Sequence, residues 1–202
     1  DKKENFKIVT STTLFAYMHN NYLLALQNLD PLVPPNEKKI RQIIWKIRAK
    51  KVILATGSFE RPLIFNNNDR PGIMLAGSAS KYAKKYKVTL GQSAVIFTNN
   101  DSAYQTALDL NDAGIAVEAV VDTRKDPQGP LPTQTRQRGI KVIDGYVIVD
   151  VDGKKRVKAV ELMRLDDSGE NVIGNVQKIQ CDVVAVSGGW NPSVHLFSQS
   201  GS

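Results

Sequence analysis

Three observations predict an α/β chain in which one domain is inserted into another. The first is the stretch 93–122, SAVIFTNNDSAYQTALDLNDAGIAVEAVVD. In it an apolar run (Ala94-Val95-Ile96-Phe97) meets a polar turn, helical spacing follows, and a second apolar run ends on an acid. Strand, turn, helix and strand in that order make the opening βαβ unit of a Rossmann-like nucleotide-binding fold. The second is a pair of short apolar runs, Val52-Ile53-Leu54-Ala55 and Val183-Val184-Ala185-Val186, each ending in a glycine turn, that bracket this unit. Runs of that kind suit parallel strands buried on both faces. The third is a train of strand-like segments between residues 141 and 180, which predicts a β-meander. The expected architecture is therefore α/β: a Rossmann-like three-layer domain with a β-meander (67–179), inserted between pieces (1–66 and 180–202) of a second, incomplete FAD/NAD-binding-type domain.

Taken in order, Phe6-Lys7-Ile8-Val9 reads as a strand. Leu14-Phe15-Ala16-Tyr17-Met18 and Tyr22-Leu23-Leu24-Ala25-Leu26 follow as a hairpin about His19-Asn20-Asn21. Prolines make 30–36 a loop, and Gln42-Ile43-Ile44-Trp45-Lys46-Ile47-Arg48 alternates as a half-buried strand. Residues 74–86 are expected to be helical, with Leu75, Ala79, Tyr82, Ala83 and Tyr86 on one side. Within the opening unit, Ala103, Ala107, Leu108 and Leu110 carry the helical spacing, and Gly114 stands where a helix-terminating glycine belongs. A loop covers 125–132, and a short helix is expected over 133–138, stopped by Gly139. Strands are expected at 141–143, 146–151, 156–162 and 176–180, with Asp152-Gly153 as a hairpin turn.

The composition is that of an ordinary globular protein: 202 residues, 42% apolar and 23% charged. No apolar run reaches the roughly 20 residues of a membrane span, and nothing resembles a signal peptide. A cytoplasmic location and no membrane partner are expected. The single cysteine, Cys181, excludes an intrachain disulfide and a Cys-x-x-Cys redox pair; flanked by β-branched residues, it reads as a buried, inert thiol. Two distant histidines, His19 and His195, give no metal-ligand spacing. The net charge of +7 comes from scattered pairs, Lys38-Lys39, Lys50-Lys51, Lys84-Lys85 and Lys154-Lys155. They read as solvated faces, the alternative being a basic face toward an acidic subunit or anionic substrate, and no nucleic-acid partner is expected.

The candidate cofactor residues fall in two groups. In a working dinucleotide turn three glycines provide a tight turn, room for the pyrophosphate and close helix packing. Here those places hold Thr98, Asn100 and Ala103, and Asp122 stands where such folds hold the ribose hydroxyls. Asn100 takes space a diphosphate needs. At an assumed 5 Å and an effective dielectric of about 20, Asp101 repels a phosphate charge by about 3 kcal/mol. Helix capping by Asn100 or Asp101 explains the turn as well. The second group is the flanking turns, Thr56-Gly57-Ser58 and Gly188-Gly189, where missing Cβ atoms let backbone approach a ligand or another strand.

The strings IRAKKVILATGSFERPLIFNNNDRPGIMLAG, VIFTNNDSAYQTALDL and VAVSGGWNPSVHL resemble the α subunits of heterotetrameric sarcosine oxidases. The wider frame is similar to two-dinucleotide-domain flavoprotein reductases. The resemblance covers nearly all of the chain. It implies a central piece of a longer subunit, with an intact glycine motif upstream and a folate-binding domain downstream, and the ending Ser198-Gln199-Ser200-Gly201-Ser202 fits truncation. It implies bound NAD in the full subunit, contacted by Thr56, Gly57, Ser58, Gly188 and Gly189. FAD and FMN belong to the complex and are not held by these residues alone. The implied partners are the other subunits, the β subunit above all, and tetrahydrofolate through the downstream domain. The complex oxidatively demethylates sarcosine to glycine, passes one carbon to tetrahydrofolate and forms hydrogen peroxide; no residue here is expected to be catalytic. The alternatives are a related amine or opine oxidoreductase subunit, a stand-alone NAD(P)H reductase, and a non-catalytic scaffold domain.

Overall fold

The structure, a computed structural model, describes residues 6–29 and 40–201. The proline loop and the Lys38-Lys39 pair expected within 30–39 therefore lie outside the described residues. In chain order the elements are β1 (Thr12–Met18), β2 (Tyr22–Asn28), β3 (Gln42–Arg48), β4 (Ser58–Glu60), β5 (Ile73–Leu75), α1 (Ala76–Lys85), β6 (Ser93–Thr98), α2 (Ser102–Asp112) and β7 (Ala116–Asp122). They continue as α3 (Pro130–Gln137), β8 (Val142–Asp144), β9 (Tyr146–Asp152), β10 (Ala159–Leu165), β11 (Val172–Gln180), β12 (Val183–Ser187), β13 (Trp190–Pro192) and α4 (His195–Gln199). The chain divides into two compact units, Asp1–Ser58 with Pro192–Ser202, and Phe59–Asn191. The divisions fall near residues 58 and 191, where the sequence suggested 66 and 180.

The larger unit has three layers. Its central sheet is parallel, in the order β5-β12-β6-β7-β8. Strand residues alternate between faces. Ala94, Ile96, Val120, Val183 and Ala185 meet Ala79, Ala83, Ala107 and Leu110 of the helices on one side. Val95, Phe97, Val121, Val184 and Val186 meet Ile148, Val151, Val160 and Leu162 of an antiparallel sheet, β11-β10-β9, on the other. Phe65 packs edge-on against Phe97, ring centroids 5.7 Å apart. This is the Rossmann-like, three-layer α/β arrangement the sequence predicts, meander included. Cys181 is buried in the second layer, and burial pushes its thiol up to about 12.

The smaller unit contains the antiparallel sheet β1-β2-β3. Asn20 and Asn21 close its first hairpin with φ of 58° and 51°, a region asparagine tolerates better than most side chains. The strands expected at 14–18, 22–26 and 42–48 are present.

Several local expectations fail. Residues 52–55 and 6–9 form no strand, and Ile53 is 92% exposed. A β-strand exists only where another strand takes up its hydrogen bonds, and no described strand lies beside either run. Residues 73–75 form β5 beside β12, so Met74 and Leu75, expected at the start of the helix, are claimed by an edge of the sheet. The helix then buries Ala76, Ala79 and Ala83, while Tyr82 and Tyr86 face solvent. Helix α3 begins at Pro130, three residues early, since proline suits a first helical turn. Asp152-Gly153 does not make a two-residue turn: Asp152 pairs with Ala159 across a longer loop.

Gly72 shows how tightly the layers approach. Its φ is +102°, and a Cβ there would stand 2.6 Å from Val157 Cγ1 and 2.7 Å from the Asp182 carbonyl. Gly114, which ends α2 with φ of +81°, has nothing within 4 Å of the same position. Gly72→Ala is expected to cost about 3 kcal/mol, combining backbone strain with overpacking, and Gly114→Ala about 1 kcal/mol from backbone strain alone. Urea unfolding measures both, and equal losses would contradict the packing described. Cys181 is expected to stay unlabelled by a thiol reagent at pH 8 and to react fully once urea unfolds the chain; rapid native labelling would place it at the surface.

Candidate functional site

Parallel α/β sheets bind ligands outside the carboxyl ends of their strands, where the strand order reverses. From β6 the chain steps through β7 to β8 on one side and returns as β12 on the other, so the reversal lies between β6 and β12. Thr98, Ser187 and Asp122 end β6, β12 and β7, and all three are fully buried.

The gap between β6 and β12 is closed by Asn100. Its side-chain amide nitrogen donates to the Ser187 carbonyl at 3.2 Å and to Ser187 Oγ at 3.0 Å. Its amide oxygen accepts from Ser102 N at 3.1 Å and from the Ser102 hydroxyl. Thr98 Oγ1 accepts from the Asn100 N–H and donates to its carbonyl, both at 3.0 Å, locking the turn. Trp190 Nε1 donates to Ser102 Oγ at 2.8 Å. Thus Asn100, not Asp101, takes a free N–H at the start of α2.

Asp122 is also committed. Tyr104 donates its hydroxyl to Oδ2 at 2.8 Å, and Arg124 donates Nη2 to the same oxygen at 2.8 Å. Oδ1 accepts from Arg124 N at 2.9 Å and Nε at 3.1 Å. A carboxylate has about four acceptor positions, and all are used, leaving none for a ribose diol. Arg124 Nη2 also reaches Asp101 Oδ1 at 2.8 Å. The hydrogen bonds that the Arg124 guanidinium donates to Asp122 raise the Arg124 pKa. Burial, and then the Asp122 charge, raise that of the Tyr104 phenol.

A similar occupation holds at α1. Glu60 Oε2 accepts from Gly77 N at 2.8 Å, placing a carboxylate where a helix start attracts anions. A Cβ at residue 77 would lie 3.0 Å from that oxygen and 3.7 Å from Trp190 Cη2. The nucleotide-binding pose therefore does not fit at the β6–α2 turn, because this chain's own amide and carboxylates fill it.

Gly188 and Gly189 are tied to Arg61. Gly188 N donates to the Arg61 carbonyl at 2.6 Å, Arg61 Nη2 donates to the Gly188 carbonyl at 3.0 Å, and Arg61 N donates to the Gly189 carbonyl at 2.8 Å. A Cβ on residue 188 would stand 2.9 Å from the Pro62 carbonyl, so close approach of the backbone at residues 61–62 already demands this glycine. Thr56, Gly57 and Ser58 belong to the smaller unit and are exposed. Thr56 Oγ1 donates to the Ser193 carbonyl at 2.7 Å, and Ser193 N donates to the Gly57 carbonyl at 2.9 Å. Gly57 has φ of +69° and nothing within 4 Å of where a Cβ would be, so its backbone is open to an approaching group.

The structure thus brings Thr98, Asn100 and Asp122 to one sheet edge and places Gly188 and Gly189 just beyond Ser187. Sequence reasoning missed Tyr104, Arg124, Ser187, Glu60 and Arg61. Arg124 was findable, since an arginine two residues past a strand-end acid can fold back on it. Nothing local signals Glu60 or Ser187, whose partners are remote in sequence. Among the described residues no cluster of three His, Cys, Asp or Glu side chains is placed to hold a metal, and no helix is long and apolar enough to cross a membrane.

Removing Arg124 tests the network. Arg124→Met is expected to cost about 3 kcal/mol, since it leaves a buried carboxylate short of its charge partner, and Tyr104→Phe about 1 kcal/mol. The Tyr104 pKa is raised on folding, so its contribution is present below the ordinary value of 10.0 and lost as pH rises above it. The melting temperature should fall above pH 10, less steeply in Tyr104→Phe; identical slopes would contradict a buried, paired phenol.

Residues 36–202 match the pyridine nucleotide-disulphide oxidoreductase family. Sarcosine oxidase subunit alpha of Corynebacterium sp. (strain U-96) is 41% identical over 194 residues, which is 93% of this chain and 20% of that protein. The subunit of the same name from Rhizobium meliloti (strain 1021) is 33% identical over 199 residues, 98% of this chain and 19% of its own length. The chain spans about a fifth of the length of these curated relatives. Among solved structures, a NAD-dependent persulfide reductase from A. fulgidus superposes with a TM-score of 0.64 at 14% identity, covering 99% of this chain and 35% of that one. L-Proline dehydrogenase from P. horikoshii gives 0.58 at 18% identity, covering 95% and 30%. Those two likenesses concern the fold. The resemblance to sarcosine oxidase α subunits is met by relatives of that name, and the chain belongs to the pyridine nucleotide-disulphide oxidoreductase family.

Proposed function

We propose that these residues form the dinucleotide-binding central region of a sarcosine oxidase α subunit, and that they are not catalytic by themselves. The observation that carries the negative half is the Asn100–Ser187 contact across the strand-order reversal, supported by the saturated Asp122 carboxylate. The identity to α subunits along almost the whole chain supports the assignment to that enzyme. In this reading the chain serves an assembly that oxidises sarcosine to glycine, hands the one-carbon unit to tetrahydrofolate and forms hydrogen peroxide. FAD and FMN act elsewhere in the assembly, and the β subunit is the principal partner.

NAD is held by the full subunit, in the cytoplasm, within the FAD/NAD-binding-type domain to which residues 1–66 and 180–202 contribute. Thr56, Gly57 and Ser58 contribute through an exposed turn whose backbone stands open. Gly188 and Gly189 contribute through their position beyond β12, with Arg61 fixing their backbone. The dinucleotide would supply redox or structural chemistry there; the chain's part is to bind and orient it. A scaffold role is the second reading, favoured by the self-filled crevice at the β6–α2 turn.

Calorimetric titration with NAD separates the two. No heat of binding is expected for the 202-residue chain, and saturable binding for the full-length subunit. Binding by the short chain that disappears in Asp122→Asn would overturn the account of the β6–α2 turn, and no binding by the full subunit would favour the scaffold. Oxygen uptake by the purified assembly with sarcosine, against other secondary amines, tests the substrate.

A further inference from the structure

Just past β12 stands a large aromatic side chain that the packing leaves half open. Trp190 follows Gly188 and Gly189 directly, begins β13 and is 47% exposed. Its indole N–H is nevertheless fixed, donating to Ser102 Oγ at 2.8 Å, and Ser102 is in turn bonded to Asn100. The far end of the ring reaches the start of α1, where Cη2 lies 3.7 Å from the position a Cβ on residue 77 would take. An N–H on so exposed a ring can bond water without help, so the bond to Ser102 orients the indole. The ring is held in one attitude with about half its surface free.

The charge beside the ring is negative. Glu60 Oε2 accepts from Gly77 N at 2.8 Å and lies 3.0 Å from the same Cβ position, so carboxylate and indole edge flank one spot. Glu60 has no cationic partner among the described residues. Arg61, next in the chain, makes no ion pair with it. The Arg61 Nη2 donates instead to the Gly188 carbonyl at 3.0 Å and stands 3.9 Å from where a Cβ on residue 189 would be. Indole is the best aromatic face for a cation, and an unpaired carboxylate beside it strengthens the attraction. A phosphate is repelled at this spot and suits the Arg61 side of the turn. Adenine, being neutral, gains stacking alone. Of the groups in NAD, the oxidised nicotinamide ring is planar, aromatic and cationic, and it matches both features.

We infer that Trp190 and Glu60 receive the nicotinamide ring of bound NAD, outside the filled crevice, and select its oxidised form. The inference rests on the reading that the full subunit binds NAD against the Gly188-Gly189 turn. The ring stacks on the indole, and the Glu60 carboxylate lies beside its positive charge. Reduction by hydride neutralises the ring and removes the attraction to both groups. Ser102 is a positioning residue, holding the indole through its N–H.

Titration of the full-length subunit, freed of nucleotide, with NAD and with NADH tests it. NAD is expected to bind about tenfold more tightly than NADH. It should also add a charge-transfer absorbance that is absent in Trp190→Leu, and protect Trp190 from hydroxyl-radical oxidation read by mass spectrometry. Glu60→Gln keeps an oxygen for the Gly77 N–H, so the melting temperature should hold while the preference for NAD falls to about twofold. A damaged fold cannot imitate that result, because the preference is a ratio of two affinities within one variant. Saturable NAD binding with no preference over NADH, or with a preference unchanged in Glu60→Gln, would overturn the inference and leave the NAD reading standing. So would a Trp190 ring already protected in the nucleotide-free subunit, because the subunit's own chain would then cover it. No binding of either nucleotide by the unaltered subunit would overturn both.

Discussion

The pairing of β12 with β6 is the interaction on which the larger unit depends. Val183 through Ser187 align with Ala94 through Thr98, joining segments some ninety residues apart. The strand formed is buried throughout, and its alternate residues supply both layers, Val183 and Ala185 to the helices, Val184 and Val186 to the meander. Because β12 also receives β5 on its far edge, losing it would detach that edge and empty both cores at once. The same pairing creates the strand-order reversal, so the site in question exists only because a late strand returns to the first.

At that reversal the fold has met its own polar requirements internally. A buried acid at the end of β7 must be neutralised or hydrogen-bonded, and Tyr104 and Arg124 do both for Asp122. Two helix starts with unsatisfied N–H groups invite an anion or a cap; Glu60 satisfies one and Asn100 the other. Each solution stabilises the unit without any ligand, and each removes a group that a dinucleotide would use. Architecture and chemistry are separable here, and the family's fold persists where its usual turn does not.

Where information was local, the sequence was legible. The βαβ unit, the first hairpin at Asn20-Asn21 and the meander follow from periodicity and turn residues within a dozen positions. The emptiness of the crevice could be doubted from Asn100 and Asp101 alone, since both residue types are wrong for a phosphate turn. What could not be read depended on distant partners. Residues 52–55 have the composition of a buried strand but no described strand to pair with. Met74 and Leu75 look helical until β12 stands beside them. The same holds for the site: Arg124 lies two residues from Asp122, whereas Ser187 and Glu60 meet their partners only after the sheet has closed.

The central claim is that the β6–α2 crevice is filled by the chain's own side chains. A crystal structure of the full-length subunit grown with NAD tests it most directly. The account predicts a dinucleotide bound outside this crevice, with Asn100 still bonded to Ser187 and Arg124 to Asp122. A diphosphate resting on the backbone N–H groups at the start of α2, with Asn100 swung away and a ribose on Asp122, would contradict it.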